Sequence, residues 1–439
     1  MKPMDAPAAA ARQAGRRLGV LLVSEHASAR FGGEAALGLH YFRVLRERDV
    51  NVWLVTHART REELARLFGD DPRIHYVEDT RAHRVLWRLG RRLPARLAHF
   101  TLGFLSRLLT QREQRRLVRR LVAQEQVDVI HQPMPVSPRE PSTLQGCGGP
   151  GVIGRMTGGL RYRPGFAQRD GVAGRVLLAA GRAASEVLNR LLPGKREAAL
   201  LLVANQRTRE ALPRWAAPRV VEVVENGVDL RLWAEAGAPT AGDGPATFVF
   251  MGRLVALKCV DVLLEAFADA AARLPMRLVI VGDGPEREHL QRLAGRLGLI
   301  GLAGGCDPVR FPGWLPQAEC AAQLRAADAL VLPSVHECGG AVVLEAMAMG
   351  RPVIAAAWGG PADYIDPGCG VLVAPTDRRA LREGFAEAMQ RLAASPETRL
   401  ALGRAGREKI VRDFDWEVKV DHMLARYRDV ARAAPLHAA

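Results

Sequence analysis

Two glutamates with a diglycine between them are the residues of this chain whose types and spacing point most clearly to chemistry. Glu337 follows the strand-like run Ala329–Leu332, and Glu345 lies in the helical sequence after it, so both carboxylates can face one cleft. Two such acceptors suit the hydroxyls of a sugar or a ribose. The backbone N–H groups of Gly339 and Gly340, at the start of a helix, suit a phosphate. The segment therefore predicts a sugar-nucleotide site, and the alternative is one solvated loop acid and one acid on a helix surface.

A second candidate group comes earlier in the chain and is cationic. Gly252 follows the apolar run Thr247–Met251, and a glycine directly after a strand lets the backbone approach a ligand. Arg253 and Lys258 both precede a long helical stretch, where their side chains can reach a diphosphate. The alternative is that these cations are solvated side chains near a helix start.

Two further strand ends extend this group. Gly282 ends the strand-like run Arg277–Val281 in a tight turn, and the run Val309–Trp314 contains Phe311, whose backbone could line a nucleobase pocket. Open parallel sheets bind ligands outside the carboxyl ends of their strands, so these residues and the two glutamates should meet at one edge. Together they predict a donor site, although a turn with only a packing role would explain Gly282 by itself.

The first half of the chain offers a smaller set of candidates. Gly32 and Gly33 follow the first strand and precede a helix, where their N–H groups can approach a donor phosphate or the transferred sugar. His131 ends another strand, where an imidazole can contact donor sugar or acceptor. Arg161 and Arg163 could bind an anionic acceptor. A packing turn, a structural histidine and a solvated loop are the respective alternatives.

Short apolar runs alternate with amphipathic helical stretches along most of the 439 residues, as in doubly wound α/β domains. A content of 48% hydrophobic residues is enough for two or three domains with cores of their own. Residues 234–245, rich in Gly, Pro and Ala, predict a linker. The expected strands of the first half are Leu18–Val23, Val52–Thr56, Val127–Ile130, Val152–Gly154 and Ala199–Ala204. Those of the second half are Thr247–Met251, Arg277–Val281, Val309–Pro312, Ala329–Leu332, Pro352–Ala355 and Val371–Val373.

Composition excludes several classes of protein. The six cysteines show no Cys-x-x-Cys spacing, so neither a zinc site nor a disulfide framework is expected. The longest apolar runs are far short of the roughly 20 residues that cross a bilayer, and the start of the chain lacks a signal-peptide core. We therefore expect a cytoplasmic protein. We expect no metal either, because Arg253 and Lys258 already supply two cations.

The net charge of +15 is unevenly distributed. Between Arg81 and Arg120, arginines alternate with Leu, Trp87, Phe100 and Phe104 in helical spacing and with almost no acid. Such a segment suits an anionic membrane surface, which would place the protein at the inner face of the membrane. It equally suits an acidic acceptor, or helices whose arginines simply face solvent. Nucleic acid is not an expected partner, because aromatic residues are only 5% and no nucleic-acid motif is present.

The motifs of the second half resemble those of the retaining family 4 glycosyltransferases (glycosyl transferases group 1). They are Gly252-Arg253-Leu254 with Lys258, Val281–Pro285, Glu337 with Glu345 eight positions later, and Gly359-Gly360. The first half resembles the family more loosely, through Gly32-Gly33, His131, Gly158-Gly159 and Asn226–Asp229.

The resemblance implies a GT-B fold, with two Rossmann-like doubly wound domains facing a central cleft. Residues 1–222 would bind the acceptor, residues 223–412 the nucleotide sugar, and residues 413–439 would form a helix returning to the first domain.

The resemblance also implies roles for individual residues. Arg253 and Lys258 would hold the diphosphate, Glu345 the ribose hydroxyls and Glu337 the transferred sugar. His131 would complete the catalytic group. The expected donor-binding residues are Gly32, Gly33, Gly252, Gly282, Phe311, Gly339, Gly340, Ala341 and Glu345. One departure from the family pattern is Cys259, which stands where glycine is common.

The implied function is retaining, metal-independent transfer of a hexosyl group from a nucleoside-diphosphate sugar to a hydroxyl of a glycan or lipid-linked acceptor. Surface-polysaccharide or glycolipid synthesis is the expected setting. The nucleotide sugar is a co-substrate, and no cofactor is expected. Two alternatives stay open: an epimerase or phosphorylase on the same architecture, and a non-catalytic sugar-nucleotide-binding subunit of an envelope assembly complex.

Overall fold

The computed structural model describes residues 16–134, 137–144, 146–159, 166, 172–192, 194–224, 226–235, 244–302 and 307–433, and it divides into two compact units. Unit 1 takes the described residues up to Gly159, those of 172–224 and those from Val420 onward. Unit 2 takes those from Asn226 to Lys419. Arg161, Arg163 and most of the predicted linker 234–245 lie outside the described residues.

Unit 1 is built on a seven-stranded, all-parallel sheet in the order β3-β2-β1-β4-β5-β6-β7. Its strands are β1 (Leu18–Val23), β2 (Val50–His57), β3 (Ile74–Val77), β4 (Val129–Gln132), β5 (Gly151–Met156), β6 (Leu200–Val203) and β7 (Val220–Glu222). The central strands are nearly continuous runs of buried Val, Leu and Ile, as expected for a parallel sheet covered on both faces.

Unit 2 is built on a six-stranded parallel sheet in the order β10-β9-β8-β11-β12-β13. Its strands are β8 (Ala246–Met251), β9 (Met276–Val281), β10 (Val309–Gly313), β11 (Ala329–Leu332), β12 (Val353–Ala356) and β13 (Gly370–Val373). The sequence predicts every one of these six strands to within two residues at either end.

Helices follow most of the strands in both units, whereas the described residues between β4 and β5 contain none. In the first part of the chain they are α1 (Gly33–Arg46), α2 (Arg61–Phe68), α3 (Arg81–Gly90), α4 (Ala95–Ala98), α5 (Phe104–Gln124), α6 (Val172–Leu191), α7 (Gly194–Glu197) and α8 (Gln206–Ala211). In the second part they are α9 (Val260–Ala271), α10 (Arg287–Arg296), α11 (Gln317–Ala326), α12 (Ala341–Ala348), α13 (Pro361–Tyr364), α14 (Arg378–Ala394), α15 (Pro396–Asp413) and α16 (Trp416–Ala433). Within the described ranges, no helix combines the length and the apolar character needed to cross a bilayer.

Both sheets reverse their strand order once. In unit 1 the reversal lies between β1 and β4, and in unit 2 it lies between β8 and β11. Loops that leave the carboxyl ends of two such strands run to opposite sides and open a crevice, which is where doubly wound sheets bind ligands. The loop after β8 contains Arg253 and Lys258, and the loop after β11 contains Glu337.

Two strands, β3 and β7, have no counterpart among the expected strands, and both lie at edges of the first sheet. Each has only three or four residues, and their middle positions are not fully buried. They are extended because β2 and β6 offer free hydrogen-bonding edges, which is a tertiary effect without a strong local pattern.

Candidate active site

An ion pair at the strand reversal of unit 2 forms the centre of the candidate site. Lys258 ends a short 3₁₀ turn (Ala256–Lys258) after β8, and its ammonium group pairs with the carboxylate of Glu337 from the loop after β11. The two side chains are only 19% and 15% exposed, so solvent screens their charges weakly. The structure thus joins two residues that are 79 positions apart in the chain and that the sequence assigned to one site.

Two of the predicted glycines lie against this pair. A Cβ atom added to Gly252 would lie 3.7 Å from Cε of Lys258, and one added to Gly340 would lie 3.1 Å from Cγ of Glu337. Both backbones therefore run close alongside the charged side chains. A larger residue at Gly340 would press on the Glu337 side chain, whose carboxylate holds the lysine.

The loops that carry the pair are tied to each other through their backbones. Val335 N–H donates to the Leu257 carbonyl at 3.2 Å, and Gly360 N–H donates to the Glu337 carbonyl at 2.9 Å. Gly359 has a φ of +72°, and a Cβ there would lie 1.9 Å from the Glu337 carbonyl oxygen. The position of Glu337 thus depends on a close backbone crossing that only glycine permits.

Arg253 lies in the loop after β8, which also contains Lys258, but its side chain points into solvent. Leu254 N–H donates to the Asp283 carbonyl at 2.9 Å, which fastens the arginine loop to the turn after β9. Gly282 in that turn passes so close to Gly252 that an added Cβ would lie 1.9 Å from its carbonyl oxygen. The Arg253 guanidinium is exposed and has no partner in the described part of the chain, so it is available to an anion.

Helix α12 begins beside the ion pair without a side-chain cap. Its N-cap, Gly340, is left-handed at φ +68°, and Ala341 is the first helical residue. A Cβ on the preceding Gly339 would lie 2.4 Å from Nδ2 of Asn226, a buried residue that also donates to the Tyr364 hydroxyl at 3.2 Å. Backbone N–H groups at such a helix start carry partial positive charge and suit a phosphate oxygen.

Glu345 lies one turn into α12 and is half-buried. Loss of hydration raises the pKa of its carboxyl to about 7. Cys320 on α11 is close enough that the Glu345 charge adds to the effect of burial in raising the pKa of its thiol to about 11. When it is ionised, such a carboxyl can accept hydrogen bonds from ribose hydroxyls. A bound ligand would supply these hydrogen bonds and thereby favour the ionised form.

Phe311 and Trp314 lie at the edge of the second sheet. Phe311 is half-buried in β10, and Trp314, just after this strand, is 72% exposed. Gly282 N–H donates to the Gly313 carbonyl at 2.8 Å, so this strand end joins the same set of loops. Among the described residues, the Phe311 ring makes no ring contact with Lys258.

Cys259 has an unusual backbone in this loop. It is the non-glycine residue of the described chain with a positive φ, at +48°, and it caps α9. Its thiol is buried, and burial, with the nearby Asp261 charge, raises its pKa to about 12. The family resemblance had already marked this position as one where glycine is common.

In unit 1, the glycine turn after β1 is open to solvent. Gly32 has a φ of +98° and is the N-cap of α1, and Cβ atoms added to Gly32 or Gly33 would meet no atom within 4 Å. The turn is thus not held by packing, which was the alternative for these glycines. Their N–H groups lie at the start of a 14-residue helix.

The structure places His131 in the core, which opposes the predicted ligand contact. It is fully buried, its Nε2–H donates to the Gly154 carbonyl at 2.6 Å, and its Nδ1 accepts a hydrogen bond from the Tyr427 hydroxyl at 2.6 Å. Burial lowers the pKa of the imidazole to about 3. Since both nitrogens are occupied inside unit 1, we correct the assignment: His131 is a structural residue that joins β4 to α16.

A group of charged residues near the glycine turn escaped the sequence analysis. Glu25 and His26 directly follow β1, and their neighbours include His57 and Arg59 from the end of β2. Burial raises the pKa of Glu25, and burial with the His57 and Arg59 charges lowers the pKa of His26 to about 4. The signal was present, because these residues lie at strand ends as His131 does.

Two units with all-parallel, doubly wound sheets define a GT-B fold, and comparison with solved structures supports this. Anabaena HepE in complex with UDP matches with a TM-score of 0.62 at 16% identity, over 94% of this chain and 100% of HepE. Sucrose-phosphate synthase from Thermosynechococcus elongatus matches with a TM-score of 0.59 at 21% identity, over 95% of this chain and 100% of the synthase. At these identities the likeness is one of fold.

Residues 245–395 match the model of the family described as glycosyl transferases group 1. The chain is 37% identical over 228 residues to the D-inositol 3-phosphate glycosyltransferase of Saccharomonospora viridis, covering 50% of this chain and 52% of the relative. It is 37% identical over 187 residues to the lipopolysaccharide core glycosyltransferase LpsE of Rhizobium meliloti, covering 42% and 50%. The chain spans about half the length of the curated relatives it matches.

These comparisons confirm the predicted resemblance to glycosyl transferases group 1 and the predicted GT-B fold. The retaining stereochemistry, the division into acceptor and donor domains and the role of each site residue remain predictions.

Proposed function

We propose that this chain is a retaining, metal-independent glycosyltransferase. It moves a hexosyl group from a nucleoside-diphosphate sugar to a hydroxyl of a glycan or lipid-linked acceptor, in cell-surface polysaccharide or glycolipid synthesis at the cytoplasmic side of the membrane. The observation that carries the proposal is the Lys258–Glu337 ion pair at the strand reversal of a glycosyl transferases group 1 unit.

The donor diphosphate is assigned to the cationic part of this site. Arg253 offers an exposed guanidinium, Lys258 an ammonium group and the start of α12 a set of uncapped N–H groups. These groups stabilise the negative charge that grows on the departing diphosphate and need no reorganisation as it forms. The UDP and UDP-glucose complexes of HepE, which shares the fold, support a uridine nucleotide as the first donor to test.

The sugar and ribose are assigned to the two carboxylates. Glu337, held by Lys258, accepts hydrogen bonds from hydroxyls of the transferred sugar, and Glu345 accepts them from the ribose. In the reaction, the bond from the anomeric carbon to the diphosphate breaks, and the acceptor oxygen bonds to that carbon on the same face. The acceptor proton passes to the departing diphosphate, so the charges balance without a metal.

The experiment is a comparison of Lys258→Ala with the unaltered protein. Removing a preorganised cation from a developing charge lowers turnover about a hundredfold to a thousandfold, so UDP release from UDP-glucose in the presence of a hydroxyl acceptor should fall by that factor. Lys409→Ala is the matched control, since Lys409 also forms an ion pair in unit 2, with Asp366, but lies on α15. Unchanged turnover in Lys258→Ala would refute the assignment.

The same assay separates the rival activities. A transferase releases UDP only when a hydroxyl acceptor is added. Release that requires inorganic phosphate would identify a phosphorylase, and conversion of the sugar without release would identify an epimerase. Binding of UDP-glucose without turnover under any of these conditions would favour a non-catalytic binding subunit.

A further inference from the structure

The surface of unit 1 around α3 combines exposed apolar side chains with exposed arginines. Of the ten residues of α3 only His83 is buried. Val85 is 51% exposed, Trp87 is 64% exposed and Leu105 on α5 is 47% exposed. Val85 and Leu105 line the same surface groove, and an exposed apolar patch on a folded domain often marks a binding site.

A groove of about 520 Å³ lies between α3 and α5. Its walls are formed by Val85 and Leu86 on one side and by Leu105, Leu108 and Leu109 on the other. Val85 and Leu86 come three and four residues after Ala82, and Leu108 and Leu109 come three and four residues after Leu105, so each helix presents one apolar stripe to the groove. The groove is therefore a regular apolar surface at the meeting of two helices.

Hydrogen-bond contacts of a buried residue fix the orientation of α3 on unit 1. Its buried residue, His83, lies 3.1 Å (Nε2) from the hydroxyl of Thr110 on α5, and its Nδ1 contacts the Thr80 cap. With both ring nitrogens engaged, His83 anchors the helix to α5. The exposure of the apolar stripe is thus built into the packing of α3.

Arginines occupy the helix face next to the apolar stripe. Arg81, Arg84, Arg88, Arg91, Arg92 and Arg112 are all exposed. No acidic residue pairs with them within the described ranges, whereas Arg107 at the other side of α5 pairs with Glu140 at 2.9 Å. The sequence has no Asp or Glu between Asp79 and Glu113, so the whole surface is cationic.

We propose that this surface, α3 with the α3–α5 groove, docks onto a membrane that contains anionic lipids. The apolar stripe would enter the boundary between headgroups and acyl chains, while the long arginine side chains reach the lipid phosphates beside it. Charge complementarity favours this partner over a second copy of the chain, which would bring two sets of arginines together. It also fits better than a nucleic acid, because the groove is lined by aliphatic side chains that do not stack on bases.

The docking surface is linked by ring contacts to the open glycine turn of unit 1. Ring centroids of His83 and His57 are 6.5 Å apart, those of His57 and His26 are 6.1 Å apart, and those of His26 and Phe31 are 5.3 Å apart. Phe31 directly precedes Gly32. Docking at α3 would thus hold this strand-end turn near the membrane surface, although the proposal itself does not depend on transferase activity.

The test is co-sedimentation of the full chain with phosphatidylcholine vesicles, with and without phosphatidylglycerol, at low and high salt. We expect binding only to the anionic vesicles, weakened but not abolished by salt. Val85→Ser/Leu105→Ser should lower the partition coefficient about tenfold, and Arg84→Ala/Arg88→Ala about thirtyfold. All four side chains are exposed, so thermal unfolding should show unchanged folding.

Matched controls lie on helices away from this surface. Leu400 and Val411 on α15 are each 44% exposed, and Arg428 on α16 is exposed without an acidic partner in the described chain. Leu400→Ser/Val411→Ser and Arg428→Ala should bind vesicles as the unaltered protein does. Equal binding to both vesicle types, equal losses in the controls, or a loss only with the arginine pair would each overturn the proposal. The proposal would also be overturned if Val85→Ser/Leu105→Ser left vesicle binding unchanged and converted a dimer into a monomer.

Discussion

Lys258 and Glu337 form an ion pair that solvent screens weakly, and the pair restricts the positions that each side chain can take. A lysine held by a carboxylate has a defined position, which is what a diphosphate-binding cation needs. The Glu337 side chain also passes close to Gly340 at the start of α12, where an added Cβ would lie 3.1 Å from its Cγ. Removing either partner leaves a mostly buried charge unpaired, so single substitutions here will disturb both proposed functions at once.

Glu345 gives the site a dependence on pH that can be measured. Because burial raises its pKa to about 7, the folded protein keeps this proton when the unfolded chain has lost it, and stability falls as the pH rises from 4.5 to about 7. Glu345→Gln should therefore raise the free energy of unfolding by about 1 to 3 kcal/mol at pH 8. The difference should shrink as the pH falls through 7 and vanish near the ordinary value of 4.5, where the carboxyl is protonated in both states.

If Glu345 binds the ribose, as proposed, donor binding should strengthen as Glu345 ionises, because hydroxyl groups donate hydrogen bonds to a carboxylate. The affinity for UDP-glucose should fall about tenfold between pH 8 and pH 6, and Glu345→Gln should remove this dependence. Titration calorimetry measures both. A pH profile identical in the two proteins would show that Glu345 does not contact the donor.

At the level of elements, most of the second sheet is predictable from sequence and much of the site is not. Most strands of unit 2 are largely apolar runs of four to six residues, so local pattern determines them. Which loops touch depends on strand order, and the contact of the Lys258 loop with the Glu337 loop follows from β8 lying next to β11. His131 was misjudged for the same reason: its strand-end position is visible in sequence, but its partner Tyr427 is 296 residues away.

A substitution in the loop after β12 tests the close approach of the Gly359 backbone to the Glu337 carbonyl. Gly359→Ala would place a Cβ within 1.9 Å of the Glu337 carbonyl oxygen, so we expect a loss of about 3 kcal/mol or more of stability and weaker UDP-glucose binding. Gly350→Ala is the control, since Gly350 has nearly the same φ, +71°, but open space around it. It should cost only about 1 kcal/mol, for left-handed backbone. Chemical denaturation would decide, and equal losses would contradict the crossing.

Helix α16 provides a second test at this scale. Tyr427→Phe removes the hydroxyl that donates to His131 and leaves a buried nitrogen without a partner, at a cost of about 1 to 3 kcal/mol. Tyr76→Phe should be nearly neutral, because no partner of the Tyr76 hydroxyl occurs among the described residues. Urea denaturation of both variants checks this. If Tyr427→Phe instead lowered turnover without changing stability, His131 would regain a role in the reaction.

At the scale of the whole molecule, the proposed function predicts that binding of the nucleotide sugar raises the stability of the protein. UDP-glucose at about a hundred times its dissociation constant adds about 2.7 kcal/mol to the unit that binds it, and a unit of this size should then melt about 5 °C higher or more. If Arg253 and Lys258 supply the positive charge at the diphosphate, as proposed, EDTA should change neither this shift nor turnover. A shift or a turnover that EDTA abolishes would show that a divalent ion takes part.

Cys259 carries a sulfur atom into the loop assigned to the donor diphosphate, next to Lys258. A thiol with a pKa of about 12 is almost wholly protonated at neutral pH, and the thiolate is the form that peroxides and electrophiles attack. The loop should therefore survive oxidative stress that would inactivate an enzyme with an acidic cysteine in this place. For the same reason, covalent inhibitors aimed at this sulfur would react slowly.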